Sequence, residues 1–458
     1  MRAFIVFILT ILFTPTSFSQ TVIGSFQQPY DYKMEACEMG DSVLVCLTET
    51  GQLASPLSNL YWISENNVRK FGVLRKNKKE ELVGVNTSDS MEFYLYSKVD
   101  ERKSDNLLIR KSMNSVFLDG FSEIPIAGEV IGSFKDSLFN VVVLDKKTSV
   151  LKFVSFNGEK KINEKIIRIP FSLAKFRDSD FVFVDPKINL ALAHSYARVK
   201  FFKNDSELTM VLDEPFQDFV ENQTPPYRTV FFKYDLITNR TESKVFFEVN
   251  NYYFRSFVIG NFLLRATFVK EGIRITSFDL ASQNKVEDMA LSQNLSDLMG
   301  YQRNSRDFKI VRGKFQELRI NLGSDQWSPV IIAENLQNNR AVILVGLYSD
   351  AKGAFLVAPG GPAVAAASLL VTAVGTTIMQ SQEKPAISNY AYLSTDETGR
   401  IVRLESTDTS FRQRMDDYES DNFPVLKFKG YAETRKWKAA LYWPEGVKQT
   451  EVRLFWKN

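Results

Sequence analysis

Phe139-Asn140-Val141-Val142-Val143-Leu144, followed by Asp145-Lys146-Lys147-Thr148, is a short apolar, β-branched run that ends in an acidic residue and a polar turn. Such a run reads as a strand, because branched and aromatic side chains fit a pleated, half-buried surface. Residues 92–96, 181–184, 229–234 and 273–278 read the same way. The acidic ending recurs in Val99-Asp100-Glu101, Tyr234-Asp235-Leu236 and Phe278-Asp279-Leu280. The intervals from Asp100 to Asp145, Asp145 to Asp235 and Asp235 to Asp279 are 45, 90 and 44 residues. Read as one, two and one units of about 45, they match the length of a four-stranded propeller blade. The competing reading is an ordinary stack of antiparallel sheets, in which aspartates end strands because Asp favours turns.

The expectation is therefore an all-β chain: a β-propeller of about seven or eight four-stranded blades over residues 20–458. Long helical periodicity is nearly absent, and residues 287–298 are the one short helix expected before residue 350. A propeller removes exposed edges by closing a ring. The segment Lys438-Ala439-Ala440-Leu441-Tyr442-Trp443, a turn at Pro444-Glu445-Gly446 and residues 450–456 form a hairpin suited to pair with the first region of the chain.

The N-terminus predicts export. Arg2 supplies a positive charge, residues 3–13 are apolar apart from Thr10, and Ser17-Phe18-Ser19 places small residues where a signal peptidase cuts. That apolar run is well short of the roughly 20 residues that span a bilayer. Residues 1–19 are thus expected to leave as a signal peptide, with Gln20 the new N-terminus. No Cys follows the cut to take a lipid.

Composition narrows the chemistry. Losing Arg2 lowers the formal net charge from +3 to +2, too balanced for the concentrated basic field that nucleic acid requires. The only cysteines are Cys37 and Cys46. If Asp41-Ser42 is the turn between them, they face each other across a hairpin and are a disulfide candidate in an oxidising compartment. The single histidine, His194, sits in a strand-like run and reads as a satisfied polar residue. One His and two Cys do not build a zinc site. No cofactor or metal site is expected, and neither a Gly-x-Ser-x-Gly elbow nor a P-loop occurs. Gly323-Ser324-Asp325-Gln326-Trp327 falls short of the sialidase turn motif. Asp416-Asp417-Tyr418-Glu419-Ser420-Asp421 is the densest carboxylate cluster. It could hold Ca²⁺ or supply a glycosidase pair, but reads first as a solvated loop.

Two features point to partners. Residues 353–382 carry no charge, from Phe355 and Leu356 through Pro359-Gly360-Gly361-Pro362 to Leu369, Leu370 and Val371. This insertion is either a buried part of the fold, a segment that docks into a partner protein, or one that lies against a membrane. Trp437, Trp443 and Trp456 fall near the C-terminus beside Lys and Arg. They either form a partner or glycan surface or pack one sheet face.

The signal peptide, the single His and the Lys/Asn/Phe-rich usage look like a bacterial envelope protein. In that setting the architecture loosely resembles periplasmic propeller subunits that accompany outer-membrane assemblies, including export channels such as the type IX translocon; the likeness is of fold only. It implies a non-enzymatic interaction scaffold, periplasmic or outer-membrane-associated, with a protein partner in the cell envelope. The alternative is a carboxylate-dependent glycan-active enzyme or a carbohydrate-binding propeller.

Overall fold

The computed structural model describes the chain from Thr21 to Trp456; residues 1–20, 185–196, 215–226, 316–326, 350–388 and 457–458, with shorter connections, lie outside the description. The expected leader, His194 and the insertion at 353–382 fall in those segments.

The described strands form seven sheets arranged as a seven-bladed β-propeller. The chain opens with β1 (Thr21–Gln27), then builds blade I from β2 (Tyr32–Met39), β3 (Ser42–Glu49), β4 (Leu57–Ser64) and β5 (Asn67–Arg75). Blade II is β6 (Glu80–Thr87), β7 (Met91–Ser97), β8 (Asn106–Asn114) and β9 (Phe117–Ile126). Blade III is β10 (Glu129–Lys135), β11 (Phe139–Asp145), β12 (Val150–Asn157) and β13 (Lys160–Arg168). In these three blades strand order follows chain order, from the innermost strand outward.

Blade IV has five strands: β14 (Phe181–Val184), β15 (Val199–Lys203), β16 (Glu207–Glu214), β17 (Tyr227–Asp235) and β18 (Thr241–Glu248). Its additional strand, β14, lies parallel to β15 at the inner edge and packs on β10. Blade V is β19 (Phe254–Ile259), β20 (Phe262–Val269), β21 (Gly272–Asp279) and β22 (Lys285–Ala290). Blade VI combines β23 (Met299–Asn304), β24 (Lys309–Lys314), β25 (Trp327–Asn335), β26 (Ala341–Ser349), β27 (Asn389–Thr395) and β28 (Ile401–Val402). Here β25 is innermost, and β23 and β28 share the flank of β27 beyond β26. After helix α1 (Phe411–Asp421), blade VII takes β29 (Leu426–Glu433), β30 (Trp437–Pro444) and β31 (Gln449–Trp456). The N-terminal β1 then pairs with β31 and shuts the ring, as the C-terminal hairpin predicts.

All five strands read from the sequence are present. The core lies between blades, so a central strand is covered on both faces; in β11 every residue except Asp145 is buried. Innermost strands approach the next blade closely where glycine replaces a side chain. A Cβ on Gly84 would stand 2.5 Å from the Phe139 ring, and one on Gly132 would stand 2.8 Å from Phe183 Cβ.

Two expectations are corrected. Residues 285–290 form β22, so a helix over 287–298 does not start at Glu287; Leu291 is helical, and residues 292–296 lie outside the described residues. Pairing with β21 overrides helical propensity, and Asp288 on β22 accepts from the Thr276 hydroxyl of β21 at 3.3 Å. The 90-residue interval from Asp145 to Asp235 does not span two blades. Asp145 ends the second strand of blade III and Asp235 the third antiparallel strand of blade IV, the next blade. The added β14 with its flanking connections fills the remainder.

Candidate functional site

Each innermost strand starts on one face of the disc, here termed the top. The second strand of a blade returns to that face, so β16 ends and β17 begins there, as do β26 and β27. Between blades IV and V this arrangement gathers a buried polar cluster. Asp213, near the end of β16 and 1% exposed, pairs in register with Thr229 on β17. The Thr229 hydroxyl donates to Asp213 Oδ1 at 2.9 Å, and the Ser256 backbone N–H of β19 donates to Oδ2 at 2.7 Å. One carboxylate therefore ties two blades.

Lys200, with no exposed surface, donates from Nζ to the Ala197 carbonyl at 2.5 Å. Burial depresses its pKa to about 8; the Asp213 charge opposes that shift and Arg255 adds to it. Arg255 falls to about 10, chiefly through burial and then through the like charge of Arg198. Arg265 donates to the Thr229 hydroxyl at 3.0 Å and the Phe246 carbonyl at 2.8 Å, with the Phe254 and Phe278 rings about its guanidinium. Glu214 is clamped by Lys175 and by Arg228 Nε at 2.5 Å. Burial alone would raise its pKa, but those bonds hold the carboxyl below its usual range.

This chemistry is structural in character. Asp213 and Glu214 are adjacent on β16, so they project to opposite sheet faces, and each is engaged by hydroxyl, backbone or cationic donors. They do not form the facing carboxylate pair of a glycosidase. Among the described residues no group of three or more His, Cys, Asp or Glu could hold a metal ion.

A second cluster corrects the reading of residues 416–421 as a solvated loop. They lie in α1, which fills the wedge between β24 and β31. Met415 and Tyr418 pack with Ala440, Tyr442 and Phe455. Asp416 is buried and accepts from the Tyr392 hydroxyl at 2.5 Å; Asp417 accepts from Tyr301 at 2.5 Å and meets Arg312 at 3.3 Å. Desolvation raises the Asp417 pKa despite those two partners. The overlooked signal was Phe411, Met415 and Tyr418, at helical spacing.

The disulfide candidate is not joined: Cys37 and Cys46 are both thiols. The hairpin closes with Met39 opposite Ser42, so its turn is residues 40–41 and not Asp41-Ser42. Cys37 then faces Leu44, and Cys46 faces Glu35. The cysteines become diagonal neighbours, which stand roughly 7–8 Å apart with their Cβ atoms somewhat closer, wider than disulfide geometry accepts.

Of the tryptophans, Trp437 is fully buried with Ala439 and Leu441 in the core between blades VII and I. Its indole N–H finds no acceptor among the described residues. As a partner-binding candidate it is overturned, because its ring completes that core. Trp443 is half-buried, while Trp456, the register partner of Trp437, is 40% exposed. Lys438, beside Trp437, is buried too. The candidates Phe355, Leu356, Leu369, Leu370 and Val371 lie outside the described residues. Their flanks are described: β26 and β27 hold register up to Leu347 opposite Asn389. The described strand ends that flank the segment, Ser349 and Asn389, stand at the top face.

No protein-family model matches the chain, and no curated protein matches it. Among solved structures it is similar to the β-propeller domain of the Trilobed protease from Pyrococcus furiosus, at 7% identity over 93% of this chain and 94% of that one, with a TM-score of 0.36. It is also similar to the WD40 domain of SCAP from fission yeast, at 10% identity over 96% and 98%, with a TM-score of 0.31. Likenesses of this size carry nothing about activity.

Proposed function

We propose that this chain is an exported, non-enzymatic propeller that serves as an interaction scaffold or accessory subunit of a bacterial periplasmic or outer-membrane assembly, a protein-export channel being one such setting. The observation that carries the reading is the build of blade VI. Its β26–β27 pair holds seven register partners, from Ala341↔Thr395 to Leu347↔Asn389, and every residue of β27 is buried. A hairpin needs a connection of only two to five residues. The uncharged segment between these strands is thus surplus to the sheet, and its apolar side chains call for a cover. A partner protein at the top face supplies that cover. Asp213 at the same face is already engaged in holding blades IV and V together, and Glu214 is engaged by Lys175 and Arg228, which favours binding over hydrolysis.

The test replaces residues 353–382 with a Gly/Ser linker in the full chain and follows co-purification from native envelopes. Loss of a specific envelope partner with the fold intact supports the proposal. Retention of every partner removes the segment from the mechanism.

A further inference from the structure

We infer that β1 is a releasable latch, which frays from β31 at its Thr21 end while the other six blades stay folded. This rests on the ring geometry alone and is independent of the scaffold reading. In blades I, III and IV the outermost strand follows its partner through a short turn, closed by Ser64↔Asn67, Asn157↔Lys160 and Tyr234↔Thr241. When such a strand opens, the turn keeps it beside its partner at high effective concentration. β1 has no turn to β31. The chain joins the two strands only by passing around the whole ring, and the nearer tether of β1 leads from Gln27 into β2.

Side chains hold it lightly and unevenly. Its register with β31 slips between Val22 and Gly24. Val22, Ser25 and Gln27 are exposed, and Phe26 is the one buried side chain among those described in the strand. Phe26 stacks on Tyr61 of blade I, with ring centroids 4.2 Å apart, close to the tethered end. Gly24 seats the strand against Val68, where a Cβ would stand 3.0 Å from its neighbour. Toward Thr21 the half-buried Ile23 is the one side chain packed against the core between blades VII and I; beyond it that end is held by backbone hydrogen bonds, which open locally where apolar contacts are few.

Hydrogen exchange on the full chain tests this. Amides that bond β1 to β31 should exchange at least about tenfold faster than those of β11 and β12, without needing global unfolding. Phe26→Ala should speed the β1–β31 set by about tenfold more and leave β11 unchanged, as expected when a buried ring is removed. Ser25 and Glu451 are register partners, so an oxidised Ser25→Cys/Glu451→Cys variant should slow that set to the rate of β11. If β1 exchanges together with β11 in the unmodified chain, or if the cross-link leaves its rate unchanged, the latch is refuted; the cross-link decides even where Phe26→Ala does not fold.

Discussion

Blade III is one uninterrupted run from Glu129 to Arg168, four strands joined by short turns and packed on both faces. Blade VI is stitched together from a leading hairpin, an inner pair, a late strand with its short companion and a helix that closes the wedge to blade VII. Its connections include residues 316–326 and 350–388. The contrast shows where this ring tolerates added chain. A blade whose sequence is fully spent on strands and turns leaves nothing over, whereas blade VI builds a six-stranded sheet out of chain order and has long connections besides.

The largest expected effect breaks the regular blade. Phe156, fully buried and packed at 5.4 Å on Tyr94, should cost roughly 4 kcal/mol as Phe156→Ala in denaturant unfolding. A loss confined to blade III, with the rest of the ring unchanged, would break the comparison. Next is the tie between blades IV and V. Asp213→Ala leaves Lys200 and Arg255 buried without that carboxylate and should cost about 3 kcal/mol. Calorimetry checks it.

Smaller again is the strap on blade VI. Tyr392→Phe deletes the donor to buried Asp416 and should cost about 2 kcal/mol. No measurable loss would mean the composite blade does not depend on α1.

A prediction of a different kind concerns pH. Lys200 titrates near pH 8 in the folded ring, against an ordinary 10.5. Below pH 8 both folded and unfolded chains hold the proton; between 8 and 10.5 the unfolded chain holds more. Stability from this group therefore rises with pH across that window. The difference in unfolding free energy between the parent and Lys200→Met should climb from pH 8 to 10.5, and a flat difference would contradict the burial argument.

Much of this architecture was legible because strand runs report on local chemistry. The run from Phe139 to Leu144 is apolar enough to be a strand covered on both faces, and the Trp437–Trp456 hairpin showed its ring-closing role through position and alternation. What misled was register and count. A turn displaced by one residue separates Cys37 from Cys46, and no local signal distinguishes Gly40-Asp41 from Asp41-Ser42. The additional strand β14 turned a one-blade step into a 90-residue interval, because a parallel insertion leaves the strand pattern intact. Asp416 and Asp417 read as wet carboxylates since their partners, Tyr392 and Tyr301, come from distant strands. The blade IV–V cluster is hidden for the same reason: Asp213 meets Thr229 only when β16 pairs with β17, and Ser256 and Arg265 join them only once two blades are stacked.

That blade VI is whole without residues 353–382 is open to one direct measurement: the unfolding free energy of the full chain with that segment exchanged for a Gly/Ser linker. Stability within about 1 kcal/mol of the parent, with a cooperative transition, is the predicted result, as for changes away from the core. A loss of about 3 kcal/mol or more, the scale of core damage, would show that the segment belongs to the packed interior and contradict the account.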